Sequence, residues 1–218
     1  MKKEIAFIFD LDGVIVDTAK YHFLAWRNLA NSLGFEFTEE HNELLKGVSR
    51  VRSLEILLEI GKVELTAAQK QTFLVQKNTE YLGYVHKMTS EEILPGINDL
   101  LDYLDANNIK YALGSASKNA PLILEKVGLF NRFAAIVDGN DVSKAKPDPE
   151  VFLIGAEKLN MQPKNCIVVE DAIAGIEAAN AANMLSIGIG DAKLLSEANY
   201  VLADTNGFTR DFLENIMK

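Results

Sequence analysis

The hydrophobic pattern changes character along the chain. Ile5 to Phe9 is a short apolar run that stops at Asp10-Leu11-Asp12-Gly13. An unbroken run of this kind, closed by a turn signal, predicts a strand buried on both faces. Past Val14-Ile15-Val16 and Asp17-Thr18 the spacing turns helical. Tyr21, Leu24, Ala25, Leu29 and Leu33 recur until Gly34, with Thr18 as the expected N-cap. Thr38 to about Lys46 predicts a second helix, Ser53 to Ile60 a third ended by Gly61, and Thr66 to Val85 a longer fourth. No convincing strand pattern falls between Thr18 and Lys87.

From Leu94-Pro95-Gly96 onward, strands and helices alternate. Strands are expected at Lys110 to Gly114, Ala134 to Val137, Ile167 to Val169, Ser186 to Ile189 and Tyr200 to Leu202. Helices are expected at Ile97 to Ala106, Asn119 to Val127, Pro149 to Leu159 and Ala172 to Ala182, with a terminal one from about Thr209. Near-continuous apolar strands separated by helices predict an α/β fold, a Rossmann-like doubly wound parallel sheet. The helical stretch interrupts that pattern just after the first strand. It predicts a core of residues 1–17 and 88–218 and an α-helical cap of residues 18–87 over the acidic turn. Short connections near 16–18 and 86–89 would be the hinges.

Composition narrows the class. A chain of 218 residues with 48% hydrophobic content can bury a substantial core. A net charge of −9 argues against nucleic acid or an anionic membrane as the main partner, while leaving room for a small anionic substrate. Cys166 is the lone cysteine and lies in an apolar run, so no intramolecular disulfide can form, which fits a reducing cytoplasm. The apolar run before Asp10 is too short for a signal peptide or a membrane span. A cytoplasmic protein is expected, and nothing in the sequence calls for more than a monomer.

The chemistry lies just past the end of each strand, because ligands of an open parallel sheet bind outside the strands' carboxyl ends. Asp10 and Asp12 come after the first, Ser115-Ala116-Ser117-Lys118-Asn119 after the second, Lys146-Pro147 after the third, and Glu170-Asp171 after the fourth. Two nearby carboxylates repel unless a cation lies between them, and aspartate oxygens suit Mg²⁺. Such a set fits phosphoryl transfer, in which positioning and charge compensation do most of the catalysis. Asp10 and Asp171 can hold the metal, with Glu170 a further ligand or a supporting partner. Ser115 and Lys146 can hold a phosphoryl oxygen, Asp10 can attack phosphorus, and Asp12 can serve the alcohol oxygen as general acid or base. Each residue also has a plainer reading. Asp10 to Gly13 could be an ordinary turn, Ser117 a helix cap, Lys146 a solvated loop lysine, and Glu170-Asp171 acids that complement a helix dipole.

Asp10-Leu11-Asp12-Gly13, Ser115, Lys146-Pro147 and Glu170-Asp171 together resemble, in order, the four motifs of the haloacid dehalogenase-like hydrolase superfamily. The resemblance covers the whole chain, cap included. It implies an Asp10 nucleophile, metal ligation that includes the Asp12 backbone carbonyl, and phosphotransfer rather than dehalogenation, since Asp12 is present. The turn Lys46-Gly47-Val48-Ser49-Arg50 adds a site where a second phosphate could bind, with Arg50 gripping it; a helix start capped by Ser49 is the alternative. With Ser115 to Asn119 and Tyr21 to Trp26, that turn resembles the mutases of the superfamily that act on β-glucose phosphates. The likeness implies interconversion of the 1- and 6-phosphates through β-glucose 1,6-bisphosphate, which would also be the primer. By the same likeness Arg50, Ser117 and Asn119 hold the distal phosphate, and Lys118 lies beside it or the sugar. Gly47 and Val48 meet the sugar through their backbone. His22 and Lys77 lie near Asp12, Trp26 shapes the sugar pocket, and Ser53 and Ala116 complete the expected substrate contacts. His22 and Trp26, four apart on one helix face, could equally pack against cap helices. A sugar-phosphate or phosphoglycolate phosphatase with the same core and cap is the nearest competing activity. A phospho-accepting regulatory domain needs no cap, and a dinucleotide site lacks its glycine fingerprint after the first strand.

Overall fold

The computed structural model describes residues 4–217. Its centre is β1 (Ala6–Phe9), every residue of which is buried. Four helices come next: α1 (Ala19–Ser32), α2 (Glu39–Glu43), α3 (Arg50–Gly61) and α4 (Ala67–Val85). Then come α5 (Ile97–Ala106), β2 (Lys110–Gly114), α6 (Ala120–Lys126), β3 (Ala135–Val137) and α7 (Glu150–Lys158). The chain ends with β4 (Cys166–Glu170), α8 (Ile173–Ala181), β5 (Leu185–Ile189), β6 (Tyr200–Leu202) and α9 (Arg210–Ile216).

The six strands form one parallel sheet in the order β3-β2-β1-β4-β5-β6. This is the expected Rossmann-like α/β sheet with an inserted α-helical cap. Side chains of β1 alternate between two cores, as the two-residue period of a strand requires. Phe7 and Phe9 pack with α5, α6 and α9, whereas Ala6 and Ile8 pack with α7 and α8. The cap helices have their own core of Trp26, Leu29, Phe37, Leu54, Leu57 and Leu58.

The chain leaves and re-enters the core through adjacent segments. Val16 bridges Ile93, Asp17 N–H donates to the Glu92 carbonyl at 2.9 Å, and Leu94 N–H to that of Ile15 at 3.0 Å. Glu92 also accepts from Lys20 and Tyr21 at the base of α1.

Three local expectations are corrected. Helix α3 starts at Arg50 rather than Ser53, because the Ser49 hydroxyl accepts from Arg52 N–H and caps it. It runs through Gly61 and ends at Lys62, whose left-handed backbone (φ 51°) breaks the pattern. Thr18 stands at the N-cap of α1, but its hydroxyl makes no capping bond and points to Asp12 instead.

Candidate active site

Strand register brings the chemistry together. Phe9 is level with Leu113 on β2 and Val169 on β4, so Asp10, Gly114 and Glu170 emerge one step later on the same edge. Asp10 N–H donates to the Val169 carbonyl at 2.9 Å, continuing the ladder up to the turn. Between β1 and β4 the order reverses, and this is where an open sheet leaves its crevice.

Lys146 is the hub of that edge. Its ammonium lies 2.5 Å from Asp10 Oδ1 and 2.6 Å from Glu170 Oε1, and it donates to the Gly114 carbonyl at 3.1 Å. Burial alone would lower its pKa, but the two carboxylates outweigh burial and raise it, so the lysine stays charged. The solvated-loop reading of Lys146 is thus excluded: it is 4% exposed. Glu170 is fully buried, and its other oxygen accepts from Ala172 N–H at 2.9 Å. Both Glu170 oxygens are therefore engaged by the protein, which suits support of Lys146 better than direct ligation of a metal.

The other Asp10 oxygen accepts from Asp12 N–H at 3.0 Å, and Thr18 Oγ1 donates to Asp12 Oδ1. Burial, then the neighbouring Asp10 charge, pushes the Asp12 carboxyl up to about 6, against the pull of the Thr18 bond. Its pKa near neutrality suits a group that both gives and takes a proton. Gly13 makes the turn with φ +80°, and a β-carbon there would collide with the Asp171 carboxylate. Burial and the charges of Glu170 and Asp10 raise the Asp171 pKa well above normal. An acid so crowded by acids is a place for a cation, and hard oxygen donors suit Mg²⁺. Asp10 and Asp171 are the neighbouring carboxylates whose chemistry suits such an ion. Among the described residues no three His, Cys, Asp or Glu side chains converge as a chelating cluster.

The segment after β2 forms nested hydroxyl turns. Ser115 Oγ accepts from Ser117 N–H at 3.1 Å, and Ser117 Oγ from Asn119 N–H at 3.2 Å. Ser117 therefore anchors the lead-in to α6 rather than capping it, since Asn119 holds the N-cap position. Ser115 is buried and Ala116 half-buried, while the Lys118 side chain is exposed.

Besides Thr18 and the base of α1, the cap meets the core beside the site through Asn78, Lys46 and Gly47. Asn119 Nδ2 donates to Asn78 Oδ1 at 3.0 Å. Lys46 lies 3.6 Å from Asp171. Gly47, with φ +71°, is so close to Ala172 that a β-carbon there would stand 2.9 Å from the alanine methyl. Behind this contact lies a cationic cluster. Lys77, 1% exposed, has its ammonium 2.8 Å from His22 Nδ1 and over the rings of Trp26 and Tyr81 at 4.7 and 4.6 Å. Burial, followed by the nearby Lys77 charge, holds His22 neutral. Burial and then Arg50 lower Lys77 to about 7. Burial also lowers Arg50, and among the described residues no carboxylate offsets it. Positive charge is concentrated here, and the Asp12 and Glu80 carboxylates offset it at Lys77 only in part. Val48 is half-buried in the Gly47 turn, Ser53 is buried on α3, and Trp26 lies in the cap core.

A lysine with a depressed pKa destabilises the fold at the pH where it must charge. Unfolding frees Lys77 to bind a proton, so this contribution to stability grows from pH 7 towards 10.5 and is lost as pH falls across that window. Lys77→Met should therefore melt several degrees above the parent at pH 7, at about 2–4 °C per kcal/mol for a chain this size, with the gap narrowing at pH 9. A variant that melts lower at pH 7 would refute that reading.

A family model for haloacid dehalogenase-like hydrolases matches residues 6–183. The chain belongs to this family. A β-phosphoglucomutase from Bacillus subtilis is 44% identical over 210 residues, covering 95% of this chain and 93% of that one. The crystal structure of a β-phosphoglucomutase from Clostridium difficile superposes with a TM-score of 0.93 at 44% identity, covering 98% of this chain and 97% of that one. A phosphorylated carbohydrates phosphatase from Thermotoga maritima is 32% identical, covering 90% of this chain and 92% of that one.

Thr18, Asn78 and Tyr81 join the site without having been anticipated there, and Lys46, expected in the phosphate-binding turn, also approaches Asp171. Thr18 read as a cap, and Asn78 and Tyr81 as ordinary positions on a long helix. Only contacts between distant segments give them a role.

Proposed function

We propose that this chain is a mutase that interconverts β-D-glucose 1-phosphate and β-D-glucose 6-phosphate. The observation that carries the reading is the 44% identity to a β-phosphoglucomutase along almost the whole of both chains, cap included. In the proposed cycle Asp10 carries the phosphoryl group as an aspartyl phosphate, and β-glucose 1,6-bisphosphate is both intermediate and primer. Asp10 attacks phosphorus while the bond from phosphorus to the sugar oxygen breaks, and Asp12 gives that oxygen a proton. In the reverse transfer the other sugar hydroxyl attacks the aspartyl phosphate and Asp12 takes its proton. Ser115 and Lys146 hold the transferring group. Arg50, Ser117 and Asn119 hold the distal phosphate, with Ser53, Ala116 and Lys118 around it. Gly47, Val48, His22, Lys77 and Trp26 shape the sugar side.

The family and the crowded acids support dependence on Mg²⁺, held by Asp10, Asp171 and the Asp12 carbonyl with Glu170 behind them. When bound, the ion would offset phosphoryl charge facing the Asp10 carboxylate. We place the cap at residues 18–87 and the core at 1–17 and 88–218. Among the described residues no helix is long and apolar enough to cross a membrane. A cytoplasmic monomer acting on a small sugar phosphate, without nucleic acid or membrane, completes the proposal.

A mutase must keep its aspartyl phosphate from water until sugar arrives. Arg50, half-buried and without a carboxylate partner among the described residues, is suited to spend the binding energy of a distal phosphate on closing the cap. Arg50→Ala should lower mutase kcat/KM roughly 10²-fold, the loss expected when one member of a buried charge pair is removed. It should also raise the share of turnovers that release inorganic phosphate. Intact mutase turnover in this variant would remove Arg50 from the role. The Thermotoga maritima relative keeps a sugar-phosphate phosphatase in view as the second reading. A phosphate-release assay beside a glucose 6-phosphate assay separates the two.

A further inference from the structure

Lys146 sits on the long connection between β3 and α7, a poor place from which to hold an ammonium to a few tenths of an ångström. The residue that fixes that connection is Glu150, the first of α7. One of its oxygens accepts from Ser143 N–H at 2.8 Å and Lys144 N–H at 2.6 Å, and the other accepts from the Ser143 hydroxyl at 2.9 Å. The Lys144 ammonium lies 3.3 Å from Asp148, and Asp148 N–H donates to the Ala145 carbonyl at 3.0 Å. The segment carrying Lys146 is thus folded back on the next helix, with two backbone amides just upstream bound by a single carboxylate. The Lys144 N–H bond also lowers the Glu150 pKa, so the clamp is anionic.

We propose that Glu150 is a positioning residue for phosphoryl transfer, acting through Lys146. It touches neither Asp10 nor the transferring group. By holding residues 143 and 144 it sets where the Lys146 ammonium stands between Asp10 and Glu170. A carboxylate is required because three donors converge on two oxygens; an amide offers one oxygen and turns N–H groups towards the rest. The proposal rests on the reading of Asp10 as the nucleophile.

Two measurements test it. The first labels lysines with acetic anhydride and reads them by mass spectrometry. In the parent, Lys146 is protected by burial; in Glu150→Ala it should react at least about 10-fold faster while the exposed Lys118 is unchanged. This readout holds whatever the reaction. The second measures phosphorylation by acetyl phosphate with Mg²⁺: Asp10 attacks phosphorus, the bond to acetate breaks, and acetate leaves as the anion. Glu150→Ala should slow this step about 10–100-fold, and Glu150→Gln by less. In a Lys146→Ala background the same change should cost nothing further. Labelling of Lys146 as slow as in the parent, or an equal slowing with and without Lys146, would overturn the proposal. A parent chain that takes no phosphate from the reagent would defeat the nucleophile reading, while the labelling result still decides the positioning. Glu150→Gln, which keeps one acceptor oxygen, serves if the alanine variant does not fold.

Discussion

Asp10→Asn is expected to lower mutase turnover by at least about 10⁴-fold, because it turns the carboxylate proposed to attack phosphorus into a neutral, weakly nucleophilic amide and the remaining groups cannot substitute for it. The fold should survive. Lys146 keeps Glu170 at 2.6 Å and the Gly114 carbonyl at 3.1 Å, so it is not left without a partner. Loss of activity with an unchanged far-UV spectrum, and no phosphorylated protein on incubation with acetyl phosphate, is the expected outcome. A variant that still acquires one phosphoryl group would assign the nucleophile elsewhere.

Asp12→Ala separates two halves of the reaction. Leaving groups and attacking hydroxyls of a sugar need a proton moved, and a well-placed acid–base group contributes about 10²–10⁴-fold. Acetate needs none. The variant should therefore take phosphate from acetyl phosphate at close to the parent rate, yet pass it to and from glucose phosphates about 10²–10⁴-fold more slowly. Equal loss in both assays would mean that the Asp12 side chain acts by shaping the turn through its bond with the Thr18 hydroxyl rather than by proton transfer.

The strands and the acidic edge were legible because they depend on local rules. Each strand of the sheet is a short apolar run that ends in a polar step, and parallel pairing puts those steps on one edge. Lys110 to Gly114 and Ile97 to Ala106 begin and end where the pattern says. Helix α3 runs one residue past its expected end, and four helices are followed by an asparagine or lysine that takes the left-handed backbone glycine usually takes. Lys62, Asn108, Asn160 and Asn183 do so just past α3, α5, α7 and α8. The cap was harder because its chemistry depends on long-range contacts. Lys77 and His22 are 55 residues apart, and nothing in either local sequence says that one buries its charge against the other. Thr18 shows the same limit: the hydroxyl sits where a cap belongs, and only the fold turns it towards Asp12. Glu150 is a helix-start acid by pattern, and its hold on Ser143 and Lys144 appears only once the connection has folded back.

In a mutase, phosphate returns to the sugar rather than going to water. The most direct test incubates the chain with β-glucose 1-phosphate, Mg²⁺ and a trace of β-glucose 1,6-bisphosphate, and measures glucose 6-phosphate and inorganic phosphate in the same sample. Glucose 6-phosphate accumulating far ahead of phosphate, and only after the primer is added, is the result predicted. Phosphate release without glucose 6-phosphate would contradict it.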